Sequence, residues 1–405
     1  MSKNTDLPFS QTCRLSCRFE RVTRKNTVGN SNVLTISAQN GLVNQLEYYN
    51  QQYASDNTSG YSLLKKGEFA YNKSYSDGYP LGAIKRLSRY EEGIVSPLYL
   101  CFSAKPGTCP EFYEQYFESG LFNGELYRIA QEGARNHGIL NISNEDFFNT
   151  EIIDPPLEEQ KRIAEILECC DKVIRLKLEL IEEKKKQKKS LMQKLLNPDS
   201  GFRLPGFNGE WKHCTISDVA DLLTGFPFES KSFVEDGIKL LRCSNVKREK
   251  LDWSPVITEY WPSTQGLEKY LLKHQDIVVA MDGALVGYSF AQIRQQDLPL
   301  LLVQRVARLR AKDCHPDFLK FLIINPSFGT YIDAVKTTTA IPHMCPKDIL
   351  DYGVDIPFSM EEQQAIATIL SSADHELDLL EQDLTQWEQK KKSLMQLLLT
   401  GKVRV

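Results

Sequence analysis

The sequence predicts an α+β protein in which two globular domains alternate with two long helices, as a pseudo-twofold internal repeat. The first observation is that residues 158–167 recur as residues 361–370, and the second is that residues 188–193 recur as residues 391–396. Both recurrences have the same offset of 203 positions. Self-similarity at a fixed offset indicates an internal duplication.

Both copies of the repeated stretch are predicted to be long helices. Their apolar residues step by three and four, close to a heptad seam. The seam residues are Ile163, Leu167, Cys170, Ile174, Leu178, Ile181, Met192 and Leu195 in the first copy, and Ile366, Leu370, Ala373, Leu377, Leu384, Met395 and Leu398 in the second. Proline precedes each start, and Pro198 or Gly401 follows each end, as helix stop signals require. Because a helix rises ~1.5 Å per residue, each is too long for one small domain, so we expect the two helices to pair with each other.

The repeat divides the chain into four predicted segments, which are residues 1–154, 155–200, 201–356 and 357–405. In the first domain, strand-like runs cover residues 33–37, 67–71 and 96–102, with a helix near residues 111–119 and a capping pattern at Ser143. Residues 1–20 have no periodicity and are predicted to be irregular. The second domain repeats the order of these runs with different side chains: residues 240–245, 271–279 and 316–319 stand where residues 34–40, 63–71 and 110–113 stood.

Charge is nearly balanced along the chain. There are 49 basic and 53 acidic residues, 15 and 17 of them in residues 1–154 and 18 and 19 in residues 201–356. Binding to nucleic acid would therefore depend on local patches or on a basic partner. There is no signal peptide, and the longest apolar run, residues 298–303, is far shorter than a membrane span. We expect a soluble, cytoplasmic protein with no membrane partner.

The ten cysteines include no Cys-x-x-Cys pair and form a poor disulfide framework. Three pairings of histidine with cysteine could suggest zinc, namely His213–Cys214, Cys314–His315 and His343 with Cys345. None has a second pair at ligand spacing. Buried reduced thiols are therefore expected, and no metal site is predicted.

One motif resembles a catalytic site. Asp154, Pro155 and Pro156 match the Asp-Pro-Pro-aromatic motif of amino-methyltransferases, but Leu157 replaces the aromatic residue that stacks the flipped base. A glycine-rich turn for a methyl donor and a P-loop are both missing from the sequence. A strand-to-helix turn is the better interpretation, and no enzymatic activity is predicted.

The repeat layout resembles the specificity subunit of type I restriction–modification enzymes. The resemblance rests on two variable domains, each followed by a helix that opens on Glu-Gln at residues 156–160 or 359–363 and ends on Lys-Lys-Ser-Leu-Met-Gln. It covers nearly the whole chain and departs at the N-terminus, where the first domain has no counterpart of Trp211.

This resemblance implies a division of labour. Each variable domain would be a target recognition domain that reads one half of a split site in double-stranded DNA. The helices would pair as an antiparallel coiled coil, set the gap between half-sites and dock two methyltransferase subunits, with motor–nuclease restriction subunits added for cleavage. The chain itself would be non-catalytic and would hold no cofactor, because methyl donor, ATP and Mg would belong to the partner subunits.

Candidate DNA contacts are polar, amide and guanidinium side chains in predicted loops, because arginine pairs with guanine and asparagine or glutamine with adenine in the major groove. In the first domain they are Ser37, Gln39, Asn40, Tyr71, Asn72, Lys73, Ser74, Arg135, Asn136 and His137. In the second domain they are Arg242, Ser244, Asn245, Lys247, Arg248, Gln304, Arg305, Thr338 and His343.

Two alternatives stay open at the level of sequence. The chain could be a self-contained DNA modification enzyme, which would transfer methyl groups without partners. It could also be a coiled-coil scaffold without DNA reading, which would show no sequence preference in binding.

Overall fold

The computed structural model describes residues 11–37, 39–51, 57–76, 78–130, 140–337 and 341–405. The chain divides into two compact units. Unit 1 comprises Met1–Leu178 and Gln382–Val405, and unit 2 comprises Glu179–Glu381. Each of the two long helices therefore contributes one half to each unit.

The helices of the described residues are short except for two of 39 residues each. They are α1 Leu15–Arg18, α2 Gln45–Tyr49, α3 Pro110–Glu118, α4 Asn123–Ile129, α5 Asn144–Asn149, α6 Leu157–Leu195, α7 Ile216–Val219, α8 Pro316–Ile324, α9 Pro326–Val335, α10 Pro346–Leu350 and α11 Met360–Leu398. The two predicted long helices, α6 and α11, are confirmed. Ser143 caps α5 by accepting a hydrogen bond from the backbone N–H of Asp146, as the sequence pattern predicts.

The strands are also short. They are β1 Thr12–Arg14, β2 Phe19–Arg21, β3 Leu34–Ser37, β4 Gly41–Asn44, β5 Ser62–Lys65, β6 Phe69–Asn72, β7 Ala83–Arg86, β8 Glu92–Val95, β9 Leu100–Ala104, β10 Glu151–Ile153, β11 Trp211–Thr215, β12 Ala220–Thr224, β13 Ile238–Leu241, β14 Tyr260–Trp261, β15 Ile277–Ala280, β16 Phe290–Gln292, β17 Leu300–Leu302, β18 Val306–Ala311 and β19 Gly353–Pro357. The run predicted at residues 96–102 forms a strand only from Leu100 onward, because residues 96–99 form a turn in which the N–H of Tyr99 donates to the carbonyl of Ser96 at 3.0 Å.

Unit 1 is built on the sheet β2-β9-β6-β7, with the pairs β1-β10, β3-β4 and β5-β8 beside it. Its core is aromatic. Phe69 and Phe102 stack with ring centroids 5.2 Å apart, and Phe19 meets Tyr113 edge to face at 5.1 Å. All four rings are at most 1% exposed. Such pairs stabilise a core beyond the area that they bury.

The prediction of an irregular start is wrong for the described residues 11–20. β1 pairs antiparallel with β10, with Cys13 opposite Ile152, and β2 pairs with β9. Leu15 and Phe19 are at most 1% exposed. Elements of three and four residues are too short to produce a visible period, so their order comes from pairing with distant strands.

Unit 2 repeats this architecture with a core that mixes aliphatic and aromatic side chains. The sheet β12-β18-β15-β16 matches β2-β9-β6-β7 in order, and the pair β11-β19 matches β1-β10. A further sheet, β14-β13-β17, includes the parallel pair β13-β17. Ile277, Val279, Leu309 and Leu322 lie in one buried cluster beneath the four-stranded sheet. The predicted internal repeat is thus present in the fold as well as in the sequence.

The helices pair antiparallel in unit 1. Here the first half of α6 meets the second half of α11. The Nζ atom of Lys391 lies 2.5 Å from Oδ1 of Asp171, and Lys177 forms an ion pair with Asp383. Leu167 of α6 lies in the same buried cluster as residues of α11.

Unit 2 contains the complementary halves in the same arrangement. The Nζ atom of Lys188 lies 2.5 Å from Oδ1 of Asp374, and that of Lys184 lies 2.6 Å from Oε1 of Glu376. The Lys188–Asp374 pair is the repeat image of Lys391–Asp171 at the offset of 203. The antiparallel pairing is therefore confirmed within each unit, although Leu178, a predicted seam residue, is 47% exposed.

None of the helices in the described part of the chain combines the length and the apolar character that a membrane span requires.

Candidate nucleic-acid interface

The turn between β17 and β18 in unit 2 presents Gln304 and Arg305 to solvent. Both flanking strands are largely buried, so the turn stands at the edge of the packed core. Arg305 has a φ of +72°, in the left-handed region. That conformation costs a residue with a side chain roughly 1–2 kcal/mol, so surrounding contacts must hold it.

Two donors hold the backbone carbonyl of Arg305. The N–H of Met281 donates to it at 2.9 Å, and Sγ of Cys243 lies 2.8 Å from it. Burial raises the pKa of the Cys243 thiol, which keeps it protonated and able to donate. The turn is thereby fixed to the loop that follows β15 and to the segment that follows β13.

The other side of the same turn is fixed to the residues that follow β12. The N–H of Gln304 donates to the carbonyl of Phe226 at 2.9 Å. At the neighbouring Gly225, a Cβ atom would lie 2.3 Å from the carbonyl carbon and oxygen of Val303. Only glycine allows this close approach.

Asp282 lies in the loop after β15 and contacts two of the predicted site residues. Its Oδ2 atom is 3.5 Å from Nε of Arg305, and its Oδ1 atom is 2.5 Å from Nδ1 of His343. The side chains of Asp282, His343 and Arg305 are 29%, 32% and 52% exposed. They form a partly exposed cluster, called the Asp282 cluster below, in which the carboxylate lies between the guanidinium group of Arg305 and the imidazole ring of His343.

Backbone hydrogen bonds place His343 in this cluster. The N–H of Gly283 donates to the carbonyl of Pro342 at 3.1 Å, and the N–H of Met344 donates to the carbonyl of Met281 at 3.0 Å. The segment before α10 therefore lies against the loop after β15. Three predicted residues that are distant in sequence, Gln304, Arg305 and His343, are brought together.

The predicted residues after β13 support the fold around this cluster. Asn245 has no exposed surface. Its Oδ1 atom accepts from the N–H of Arg242 at 3.0 Å, and its Nδ2 atom donates to the carbonyl of Asp252 at 3.0 Å. Arg242 donates from Nη2 to the carbonyl of Ile257 at 2.7 Å, and the Ser244 hydroxyl is buried. The prediction that Asn245 lies in an accessible loop is wrong, because its amide caps the turn that it stands in.

Lys247 and Arg248 begin a tight turn in which the N–H of Lys247 donates to the carbonyl of Lys250 at 2.9 Å. Arg248 is exposed and lies over the ring of Tyr288, 5.9 Å from its centroid. Glu249 of this turn forms an ion pair with Lys188 of α6 at 3.2 Å. The turn is thus anchored to α6.

In unit 1, the loop between β6 and β7 occupies the position that the Asp282 loop has in unit 2. The carbonyl of Lys73 accepts from the N–H of Leu140 at 3.0 Å, and Nζ of Lys73 donates to the carbonyl of Ile142 at 3.3 Å. Oδ1 of Asn72 accepts from the N–H of Ser74 at 3.1 Å. Asn72, Lys73 and Ser74 are all partly exposed.

Tyr71 immediately precedes that loop, but it belongs to the core. It has no exposed surface, stacks on Phe147 with centroids 5.4 Å apart, and donates its hydroxyl to the carbonyl of Leu81 at 2.7 Å. The prediction of Tyr71 as an accessible loop residue is wrong, because Tyr71 belongs to β6 and its ring is packed in the core.

Ser37, Gln39 and Asn40 lie in the β3–β4 hairpin, which belongs to a different sheet from β6. Ser37 is 5% exposed, and its hydroxyl accepts from the N–H of Asn40 at 3.1 Å. Gln39 and Asn40 are exposed at the turn. Arg135, Asn136, His137 and Thr338 lie outside the described residues.

Comparison with known proteins identifies the family to which this chain belongs. The family model for the type I restriction modification DNA specificity domain matches the chain twice, at residues 22–187 and 208–389. The chain belongs to this specificity family. The two matches follow the internal repeat, each covering a globular part and much of the long helix that follows it.

Relatives in this family are divergent. The chain is 32% identical over 283 residues to the type I restriction enzyme MjaVIII specificity subunit of Methanocaldococcus jannaschii, covering 66% of this chain and 65% of that protein. It is 28% identical over 200 residues to the EcoAI specificity subunit of Escherichia coli, covering 48% and 32%. The alignments thus span less than two thirds of these relatives. A solved type I S subunit from M. genitalium shares the fold, with a TM-score of 0.60, 14% identity and 98% coverage of both chains.

The specificity-family helix starts make the same contacts in both units. Oε1 of Gln160 accepts from the N–H of Cys109 at 3.0 Å, and its Nε2 atom donates to the carbonyl of Pro155 at 2.8 Å. Gln363 accepts from the N–H of His315 at 2.9 Å and donates to the carbonyl of Pro357 at 2.9 Å. Each glutamine therefore ties the start of a long helix to the start of a short one, α3 or α8.

The preceding glutamate of each helix start binds an arginine. Both carboxylate oxygens of Glu159 accept from Arg404, at 2.5 and 2.6 Å, and those of Glu362 accept from Arg203, at 2.9 and 2.8 Å. Each arginine follows the end of the opposite long helix. The repeated Glu-Gln of the sequence thus links each long helix to its domain. The contacts of Glu159, Gln160, Glu362 and Gln363 are called the fastenings below.

Sequence reasoning missed Asp282 as part of the site, although a signal was present. Asp282–Gly283 directly follows the buried run of β15, which is typical of a turn at a sheet edge.

Among the described residues, no group of histidine, cysteine or acidic side chains could hold a metal ion. The ten cysteines are all free thiols, of which Cys17 and Cys169 are exposed rather than buried.

Proposed function

We propose that this chain is the DNA sequence-recognition subunit of a type I restriction–modification complex, in which each unit reads one half of a bipartite duplex site. The observation that carries the proposal is the double match to the specificity domain, at residues 22–187 and 208–389. Two copies of one recognition domain with different edge loops suit two different half-sites read by a single chain.

The exposed side chains suit base reading. Unit 2 offers Gln304 and Arg305 on one turn, and unit 1 offers Gln39 and Asn40 on another. Amide side chains pair with adenine, and guanidinium groups pair with guanine, in the major groove. The net charge of −4 makes phosphate attraction weak for the whole chain, so tight binding would require a basic partner.

The helix pair is proposed to dock two methyltransferase subunits and to set the gap between half-sites. Leu176, Leu178 and Leu180 of α6 and Leu379 of α11 are 44–51% exposed. Leu176 and Leu180 are four residues apart and therefore lie on one face of α6, and large exposed apolar side chains on one face of a helix are typical of a protein–protein interface. Motor–nuclease subunits would join for cleavage.

In this arrangement the chain contributes no catalytic group. Methyl donor, ATP and Mg²⁺ would be bound by the partner subunits, and the complex would act in the cytoplasm on double-stranded DNA.

The test is to express the chain with its methyltransferase subunits in a host without endogenous methylation and to map the methylated bases. We expect a split motif, with two short specified half-sites separated by a fixed unspecified gap. The matched control is the same host with the methyltransferase subunits alone, which should give no such motif. A continuous motif, or the same motif without this chain, would refute the proposal.

Binding by the purified chain separates the remaining alternatives. Alone, at physiological salt, it should bind DNA weakly, since phosphate contacts supply much of the affinity of DNA-binding proteins. Sequence-selective binding should appear when the methyltransferase subunits are added. Nanomolar specific binding without partners, or methyl transfer from a labelled donor by the chain alone, would contradict this expectation.

A further inference from the structure

The backbone of Arg305 is fixed by contacts with two other segments of unit 2. Its carbonyl accepts from the N–H of Met281 and lies against Sγ of Cys243, its φ is +72°, and its side chain is exposed at a tight turn. A side chain on such a fixed backbone has a restricted reach. Restricted reach is what a base-reading group needs, because a misplaced donor cannot match the edge of one base.

The guanidinium group is also held from one side only. Nε faces Oδ2 of Asp282 at 3.5 Å, while the two Nη groups have no hydrogen-bond partner among the described residues. The side chain is 52% exposed. Among the described residues, the two Nη groups are therefore left as a pair of donors that a ligand can accept from.

The carboxylate that positions Arg305 is itself fixed. Its other oxygen binds Nδ1 of His343, and the backbone around it is tied to Pro342 and Met344. Asp282 thus has one oxygen for His343 and one for Arg305, so it acts as a support for the arginine and not as a free acceptor.

We propose that Arg305 reads a guanine in the half-site recognised by unit 2, and that Asp282 is the positioning residue that aims it. This inference rests on the proposed function of the chain. Guanine presents O6 and N7 as two acceptors on its major-groove edge, which match the two free donors of the fork. A phosphate contact is disfavoured, because the carboxylate of Asp282 beside the arginine would repel a phosphate.

The repeat supplies an internal reference for this inference. When the two units are aligned by their repeated order, Glu68 of unit 1 corresponds to Asp276 of unit 2. Six residues later, Ser74 therefore corresponds to Asp282. A hydroxyl cannot hold a guanidinium as a carboxylate does. The half-site read by unit 1 should therefore be untouched by changes to the Asp282 cluster.

The experiment uses the full complex with its methyltransferase subunits. Variants Arg305→Ala, Arg305→Lys, Asp282→Ala and Asp282→Glu are compared with Arg294→Ala, a control that removes another exposed arginine of unit 2 (66% exposed). The methylated motif is mapped for each, and competition binding measures the preference for guanine at every position of both half-sites. Thermal unfolding of each complex checks that it is folded.

Arg305→Ala should lower the preference for guanine at one position of one half-site by about five- to 150-fold, the range of a bidentate contact. Arg305→Lys should recover part of it. Asp282→Ala should weaken the preference at the same position by less, and Asp282→Glu should restore some of it, which a merely structural role would not produce. Arg294→Ala should leave both half-sites unchanged.

Two results would overturn the inference. One is an unchanged motif in Arg305→Ala, and the other is an equal loss of affinity for all sequences, which would assign the arginine to a phosphate. A wild-type complex without any split motif would instead refute the proposed function itself, so the two failures are distinguishable. If Arg305→Ala does not fold, Arg305→Lys gives the same comparison with a smaller expected change.

Discussion

The fastenings of the long helices and the loops at the sheet edges evolved differently within one chain. Gln160 and Gln363 make the same two hydrogen bonds in the two units, and the Lys391–Asp171 pair recurs as Lys188–Asp374. The described edge loops share a backbone contact, in which the carbonyl of Lys73 or Met281 accepts from the segment before α5 or α10, but their side chains differ. Asp282 pairs with Arg305 and His343 in unit 2, whereas its counterpart in unit 1 is Ser74.

This difference separates two kinds of constraint. A fastening must hold the same helix against the same short helix in both units, so its chemistry is fixed by geometry that the duplication preserved. An edge loop faces outward and is free to change with what it reads. Even the cores have diverged, aromatic around Phe69 and Phe102 but mixed aliphatic and aromatic around Ile277 and Leu309. The pattern predicts that loops and fastenings can be altered independently.

The largest effect should come from replacing residues 1–154 with the variable domain of another family member. One half-site should change completely and the other should stay the same, because base-reading loops of unit 2 are not touched. Methylome mapping of both half-sites is the measurement. The replacement must keep a backbone N–H for Gln160, since Cys109 supplies it here.

The reciprocal replacement of residues 201–356 is the matched control and should change only the other half-site. A change in both halves from either replacement would mean that the domains read jointly.

The next effect concerns helix length. Inserting four residues after Lys186 adds about one turn, or ~6 Å, which equals roughly two base pairs at ~3.4 Å each. The gap between half-sites should lengthen by one or two base pairs, with some loss of affinity, and both half-site sequences should be unchanged. Gap length in the methylated motif is the readout.

Lys186→Ala serves as the control for this insertion, since the side chain is exposed and the helix length is kept. An unchanged gap with full activity, or an altered half-site, would show that the helices do not set the spacing.

A smaller effect should distinguish the two glutamate fastenings. The side chain of Glu362 is 2% exposed and its partner Arg203 30%, whereas Glu159 and Arg404 are 8% and 56% exposed. Glu362→Ala should lower the free energy of unfolding by about 2–3 kcal/mol, less than for a fully buried pair because Arg203 still reaches solvent. Glu159→Ala should cost clearly less, because water and salt screen the exposed Arg404.

Urea unfolding of the full chain measures both variants. Glu361→Ala, at the exposed neighbouring position, is the control and should lose much less stability than Glu362→Ala, because its carboxylate accepts only from the Ser359 hydroxyl at the exposed helix start. Equal losses for Glu159 and Glu362 would contradict the argument from burial.

The smallest effect should be equal in the two units. Gln160→Ala and Gln363→Ala each remove the acceptor of a backbone N–H, which is buried at Cys109 and half-buried at His315, and the donor to a buried proline carbonyl, at a cost of roughly 1–2 kcal/mol. The urea midpoints of the two variants should fall by similar amounts, while Gln364→Ala, on the exposed side of α11, should not shift. A large difference between the two midpoint shifts would mean that the duplicated contacts no longer contribute equally to stability.

Much of the frame could be predicted from sequence, and particular residues show why. Helices α6 and α11 were predictable because a period of three and four persists over 39 residues, which makes the signal strong. Ser143 was predictable as a cap because its partner, Asp146, is three residues away. The antiparallel pairing followed from the family resemblance. The limits at residues 154, 200 and 356 stay predictions.

The rest depended on contacts between residues far apart in sequence. The strand of residues 12–14 exists because β10, near residue 152, pairs with it. Tyr71 and Asn245 look like loop residues in sequence and are buried, because polar side chains that complete a core or cap a turn carry no separate pattern.

The duplication, the two long helices and the family could be inferred from the amino-acid sequence, since local periodicity or a repeated motif indicates each of them. Which exposed side chains lie together depends on the tertiary fold. Asp282 and His343 are 61 positions apart, and the sequence around neither residue indicates that the two side chains are in contact. Their meeting follows from strand pairing and backbone hydrogen bonds that close long loops, and such nonlocal contacts leave no periodic trace in the chain.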